Sequence, residues 1–121
     1  MRIINVQTFE LRQFTSDAPP YAILSHKWSE EPSDEITFQD WKDLSTASTK
    51  PGYAKIWGAC SETLNHGLEW LWVDTNCIDK GNPVELAENI NPMFRFYAEA
   101  KVCFAYLRDV HPSPDHRYVQ S

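Results

Sequence analysis

The chain has 121 residues, a net charge of −6 and 42% hydrophobic residues, enough for one domain that buries roughly two-thirds of its unfolded surface. The acidic balance and the lack of a basic run argue against nucleic-acid backbone binding. No apolar stretch is long enough for a membrane, the N-terminal Met-Arg-Ile-Ile-Asn-Val-Gln-Thr lacks a signal-peptide core, and three cysteines (Cys60, Cys77, Cys103) cannot all pair, which together point to a reducing, cytoplasmic setting.

In chain order, Arg2–Leu11 carries Ile3, Ile4, Val6, Phe9 and Leu11 and reads as a short edge strand or ribbon. Thr15–Pro20 is a loop whose final Pro19-Pro20 favours an extended continuation. Tyr21–Leu24 is then an apolar strand running into Ser25, His26 and Trp28. The following stretch to Lys50 is polar, anchored only by Ile36, Phe38, Trp41 and Leu44. Tyr53, Ile56, Trp57, Cys60 and Leu64 recur at helical spacing and end at Gly67, which predicts a helix over Gly52–His66. Leu68–Val73 is a second apolar strand that breaks into Asp74-Thr75-Asn76-Cys77-Ile78-Asp79-Lys80. Asn82-Pro83 opens a second helix to Ala100, with Leu86, Ile90, Met93, Phe94 and Tyr97 on its apolar face. Pro92 should kink it or end its first half. Val102–Leu107 is a third strand, ending in Arg108-Asp109, and 111–121 read as a mobile tail.

Helices between apolar strands imply right-handed crossovers and a parallel sheet. Three polar clusters, one after each strand, would then meet at the carboxyl edge where open α/β sheets place ligands. Ser25, His26, Trp28, Asp74, Thr75 and Asp109 are the candidate cleft residues on this argument.

The chemistry these residues allow is bounded. Ser25 and His26 are adjacent on an extended chain, so they point to opposite faces and make a poor nucleophile–base pair; ligand contact and local capping both fit them. Asp74 and Asp79 could share catalytic work or hold a divalent cation, or simply make turn hydrogen bonds. Lys80 could lower the pKa of Cys77, although a lone cysteine is commonly a small apolar side chain. No zinc-ligand spacing occurs. With Asn82 as N-cap, Glu85 falls where a capping box would use it, whereas capping does not account for Glu88.

The motifs Pro20-Tyr21-Ala22-Ile23-Leu24-Ser25-His26-x-Trp28, Ile36-Thr37-Phe38-Gln39-Asp40, Gly52-Tyr53-x-Lys55-Ile56, Trp72-Val73-Asp74-Thr75-x-Cys77-Ile78-Asp79-Lys80, Glu85-Leu86-x-Glu88-x-Ile90-Asn91-x-Met93-Phe94, Tyr97 and Tyr106-Leu107-x-Asp109-Val110 together resemble the fungal heterokaryon incompatibility (HET) domain. The likeness runs in order through nearly all of 1–110. It departs at Ser29, where glycine is common, at Asn76, where a second cysteine is common, and at Pro92, where serine is common.

The resemblance implies a TIR-like α/β fold, a flavodoxin-like three-layer arrangement with a short, mainly parallel sheet flanked by helices. TIR-type domains assemble with one another, and many hydrolyse NAD to trigger cell death. On that comparison Asn76–Pro83 is the association loop, with Asn76, Cys77, Asp79 and Lys80 as its contact residues. HET domains usually continue into a Trp-rich segment, Gly-Trp-Thr-Leu-Gln-Glu-Leu, which corresponds by position to the TIR segment carrying the catalytic glutamate. That segment is not in these 121 residues, so the domain reads as incomplete at its C-terminal end and Glu88 and Asp74 remain as catalytic candidates.

Three functions are thereby expected in order. The first is a module of nonself recognition or cell-death signalling that works by self- or partner association, as a homo-oligomer or with other HET or TIR-like domains. The second is an NAD-cleaving hydrolase using a carboxylate of this chain or of a partner, with NAD as substrate. The third is a non-catalytic nucleotide-binding module.

Overall fold

A computed structural model describes residues 1–26, 30–106 and 118–120. Arg2–Asn5 (β1) and Leu11–Gln13 (β2) form an antiparallel hairpin, followed by Ala22–His26 (β3). A 3-10 turn at Pro32–Asp34 leads to two short helices, Phe38–Trp41 (α1) and Leu44–Ala47 (α2), and then to Gly52–Asn65 (α3). Trp70–Val73 (β4), Pro83–Ile90 (α4), Met93–Glu99 (α5), Val102–Tyr106 (β5) and Tyr118–Gln120 (β6) complete the described elements. They build a six-stranded sheet of order β2-β1-β4-β3-β5-β6.

The three strands expected to be adjacent and parallel are so: β3 lies between β4 and β5 and pairs with both in parallel. The sheet as a whole is mixed, not mainly parallel, because the β1–β2, β1–β4 and β5–β6 pairings are antiparallel. Connection length is the physical reason at β1–β2. Five residues (6–10) join those strands, and a parallel crossover needs about a dozen or more. Tyr118–Gln120, inside the stretch read as a tail, forms β6 against β5.

Register places helices on both faces. Leu24 pairs with Val73 and Phe104, whereas Ile23 pairs with Trp72 and Cys103, and paired residues share a face while neighbours alternate. Phe104 meets His66 at the end of α3, with ring centroids 5.0 Å apart. Trp72 meets Phe96 of α5 at 5.6 Å on the other face. Between these layers Ile3, Ile4, Ile23, Leu24, Leu71, Trp72 and Val73 are fully buried, each large side chain stabilising the fold by roughly 1.5–3 kcal/mol.

Pro92 ends α4 and precedes α5, and the break shifts the phase of the apolar stripe. Phe96 therefore packs inward while Phe94, expected on the buried face, is 73% exposed; Ile90, expected there too, ends α4 before the break and is 55% exposed. Trp57 is likewise half-exposed, although Trp41, Trp70 and Trp72 are core residues. Among the described residues no helix is long and apolar enough to cross a membrane.

Candidate functional site

A chain of four ionisable side chains runs from the carboxyl end of β3 into the protein. His26 Nε2 lies 2.9 Å from Asp74 Oδ1, just after β4. His26 Nδ1 lies 2.7 Å from Lys55 Nζ on α3. Lys55 Nζ in turn donates to both oxygens of Glu35, at 2.7 and 2.9 Å. A lysine ammonium has only donors, so Nδ1 accepts from it, and the ring proton sits on Nε2 and is donated to Asp74. The side chains of His26, Glu35 and Lys55 are 1%, 4% and 8% exposed, and that of Asp74 is 27% exposed. Only the Asp74 end faces solvent appreciably.

Local structure explains each placement. Residues 22–26 alternate across the sheet, so His26 shares the α3 face with Leu24 while Ser25 takes the α5 face. Lys55 occupies the inner stripe of α3 beside Gly52, Ile56 and Ala59, all buried. Glu35 follows the Pro32–Asp34 turn, whose backbone lies directly on the first turn of α3. This approach requires Gly52, because a Cβ there would meet the Asp34 carbonyl oxygen at 2.6 Å. An open hollow of about 450 Å³ borders the cluster, lined by Glu30, Glu31, Asp34, Glu35, Lys55 and Tyr106 among others. Its wall is strongly acidic, and the Lys55 ammonium lies 5.7 Å from the Tyr106 ring centroid.

Of the expected cleft residues, His26 and Asp74 meet at one end of the sheet. Ser25 does not join them in a catalytic pair; it lies on the opposite, α5 face of the sheet. Thr75 is buried, its hydroxyl has no partner among the described residues, and it lines a smaller hollow of about 220 Å³ together with Glu35, Gln39 and Lys80. Trp28 and Asp109 lie outside the described residues.

Glu88 is exposed on α4 and lines a hollow with Met1, Arg2 and Gln13. Glu85 does not close a capping box with Asn82: the Asn82 side chain caps α4 by accepting from Val84 and Glu85 N–H, but the Glu85 carboxylate instead pairs with Arg2 and accepts from the Asp79 N–H.

The association-loop residues divide. Asn76 and Cys77 are fully buried and offer no docking surface, Lys80 is exposed, and Asp79 accepts from Gln39 and from the Gly81 N–H. Burial pushes the Cys77 thiol up to about 12, opposite to the activation expected from Lys80. The thiol sits under β4, accepting from the Val73 N–H, because the turn after β4 folds back into the core. Among the described residues no three His, Cys, Asp or Glu side chains converge as a metal site would need.

Glu35 and Lys55 were not among the expected site residues. The apolar stripe read from Tyr53, Ile56, Trp57, Cys60 and Leu64 put Lys55 on the outer face; the buried face of α3 is rotated to Gly52, Lys55, Ile56, Ala59, Cys60 and Thr63, and a cation there requires a buried anionic partner.

Residues 21–120, the span that contains the whole polar chain and the parallel core, match the family model described as heterokaryon incompatibility protein (HET). The chain belongs to the HET family. This HET domain is also 48% identical over 92 residues, 76% of its length, to the vegetative incompatibility protein HET-E-1 of Podospora anserina. The match covers 7% of that protein's length. No solved structure matches the domain significantly. All four members of the polar chain fall within the HET-matched span, whereas the β1–β2 hairpin precedes it.

Proposed function

We propose that this HET domain is a signalling module of fungal vegetative incompatibility, where nonself recognition leads to cell death, and that it acts by associating with a second copy or with another HET or TIR-like domain. The observation that carries the reading is the closed polar chain. His26, Lys55 and Glu35 satisfy one another in the interior, so they serve as a structural tie between β3, α3 and the 30–36 segment, not as groups reaching a substrate. The parallel β4–β3–β5 core with helices on both faces supports a TIR-like arrangement at the centre of the sheet. Incompatibility as the setting rests on the family match and on the printed name of the Podospora relative.

Light scattering on the purified chain over a concentration series tests the association. A concentration-dependent rise in mass supports it, and a monomer at every concentration overturns it.

NAD cleavage is the second reading, favoured by one observation. Asp74 is a carboxylate at the carboxyl edge, backed by a buried imidazole and still partly open to solvent. Such a group can stabilise positive charge developing on a ribose. Glu30, Glu31 and Asp34 around the neighbouring 450 Å³ hollow weigh against it, because their carboxylates repel a pyrophosphate. Non-catalytic nucleotide binding meets the same repulsion.

A further inference from the structure

The polar chain around His26 carries unequal charge. With the imidazole neutral, as the Lys55 contact at Nδ1 requires, its one ammonium faces two carboxylates, Glu35 and Asp74. These four side chains are therefore one positive charge short, and His26, Glu35 and Lys55 are almost fully shielded from water. A further proton on the imidazole balances them.

That proton has no room where Lys55 stands. An ammonium and a protonated imidazole are both donors only. At 2.7 Å the contact then turns from a hydrogen bond into a repulsion between like charges. Two other partners are already in place. Glu35 Oε2 lies 3.8 Å from His26 Nδ1 and accepts from it after a small shift. Lys55 borders the hollow of about 450 Å³ that Glu30, Glu31 and Asp34 also line, so a displaced ammonium meets carboxylates there. Both cations keep an anionic partner, which makes the second arrangement a defined state and not a loss of structure.

We infer that the Lys55–His26 contact is a proton-operated latch: it ties α3 to β3 while His26 is neutral, and it opens toward the acidic hollow when Nδ1 is protonated. Among the described residues, the titratable groups around it come from every neighbouring element. They are Lys55 of α3, Glu35 of the 30–36 segment, Asp74 and Lys80 of the turn after β4, and Tyr106 of β5. Tyr118 of β6 adds a hydroxyl that donates to the Lys55 carbonyl oxygen. The latch concerns the tie itself and stands whether or not the domain associates.

Nitrogen-15 NMR of the whole chain tests this, because it reports each imidazole nitrogen separately. As pH falls, His26 Nδ1 should gain a proton, and in the same step the Lys55 ε-methylene should lose its cross-relaxation with the His26 ring. The backbone amides of Glu35 and of residues 52–56 should shift with that same midpoint. His66, which caps the far end of α3, is the internal control, and its titration should leave Lys55 unmoved. In His26→Gln the step in those amides should vanish. Asp74→Asn, at the partly open end, should weaken proton binding at His26 about tenfold or more, since one counter-charge is gone. Protonation of His26 with the Lys55 cross-relaxation intact overturns the latch. Unfolding before His26 titrates overturns it too, because the second arrangement then does not exist in the folded protein.

Discussion

His26 and Asp74, forty-eight residues apart in sequence, meet through a 2.9 Å contact between Nε2 and Oδ1 at the carboxyl end of the parallel strands. The other ring nitrogen is held by Lys55, so the imidazole is fixed at both ends. A histidine so held has one tautomer and one orientation. This makes it a linker that transmits the position of α3 and Glu35 to Asp74, the partly solvent-open end of the polar chain.

Breaking the buried pair should be costly and non-additive. Glu35→Gln removes the anion facing a buried ammonium, and Lys55→Met removes the cation facing a buried carboxylate. Each should destabilise by about 3–5 kcal/mol, whereas the double change should cost clearly less than the sum because no unpaired charge remains. Urea denaturation of the four proteins measures this, and strict additivity would remove the pair from the fold's critical contacts.

Gly52→Ala should act on the same network from a distance. The added Cβ would meet the Asp34 carbonyl at 2.6 Å and push the 34–36 segment away from α3. The expected loss is about 1–3 kcal/mol, visible as a lower urea midpoint. A midpoint within error of the parent would mean that the segment shifts freely.

Asp40 supplies a pH dependence. Burial pushes its carboxyl up, but hydrogen bonds from Lys50 and Thr37 outweigh this and hold it below the usual 3.8. Because the folded-state value is the lower one, its contribution is complete above the unfolded value and is lost as pH falls through the folded one. Asp40→Asn, which also weakens the capping box at Thr37, should cost about 1 kcal/mol near neutral pH. In thermal melts the difference should narrow below pH 3.8. A gap that stays constant with pH would contradict the assignment.

Thiol reactivity should separate the three cysteines. Burial pushes Cys60 and Cys77 up to about 12, while Cys103 is only partly buried. A colourless-to-coloured disulfide reagent should therefore modify Cys103 alone in the native protein and all three in guanidinium. Rapid native modification of Cys77 would restore it as a reactive group.

Catalysis is expected to be negligible. Asp74 is engaged by His26, and Glu88 is exposed in a hollow with Met1, Arg2 and Gln13. Nicotinamide release from NAD by the purified chain, followed by chromatography, should stay at the uncatalysed level. Turnover that Asp74→Asn abolishes by about 10²–10³ would instead bring the hydrolase reading to first place. Lys80→Glu should weaken association, whereas substitution of Asn76 or Cys77 should act through folding because both are buried.

Local physics made much of this protein legible in the sequence. The apolar runs at 21–24, 68–73 and 102–107 became the parallel core, the 3.6-residue spacing from Tyr53 to Leu64 became α3, and Pro92 divided α4 from α5. Those signals are short-range: burial periodicity, a missing N–H, a cap. The alternation of side chains along a strand also told that Ser25 and His26 would part, and they face opposite layers. What the apolar stripe misjudged was phase after Pro92, where a break resets which residues face inward.

Only tertiary structure decided the antiparallel edges, the return of residues 118–120 to β5, and the meeting of Glu35, Lys55, His26 and Asp74. The links of that chain span twenty, twenty-nine and forty-eight residues. No local preference encodes such distances, because they depend on strand order and on which face of the sheet α3 covers. Asp74 in its turn and His26 at a strand end carry the same local signatures whether or not they touch. The cost of burying Lys55 in α3 demands an anion somewhere, and the packing of the Asp34–Ile36 backbone on Gly52 settles that the anion is Glu35.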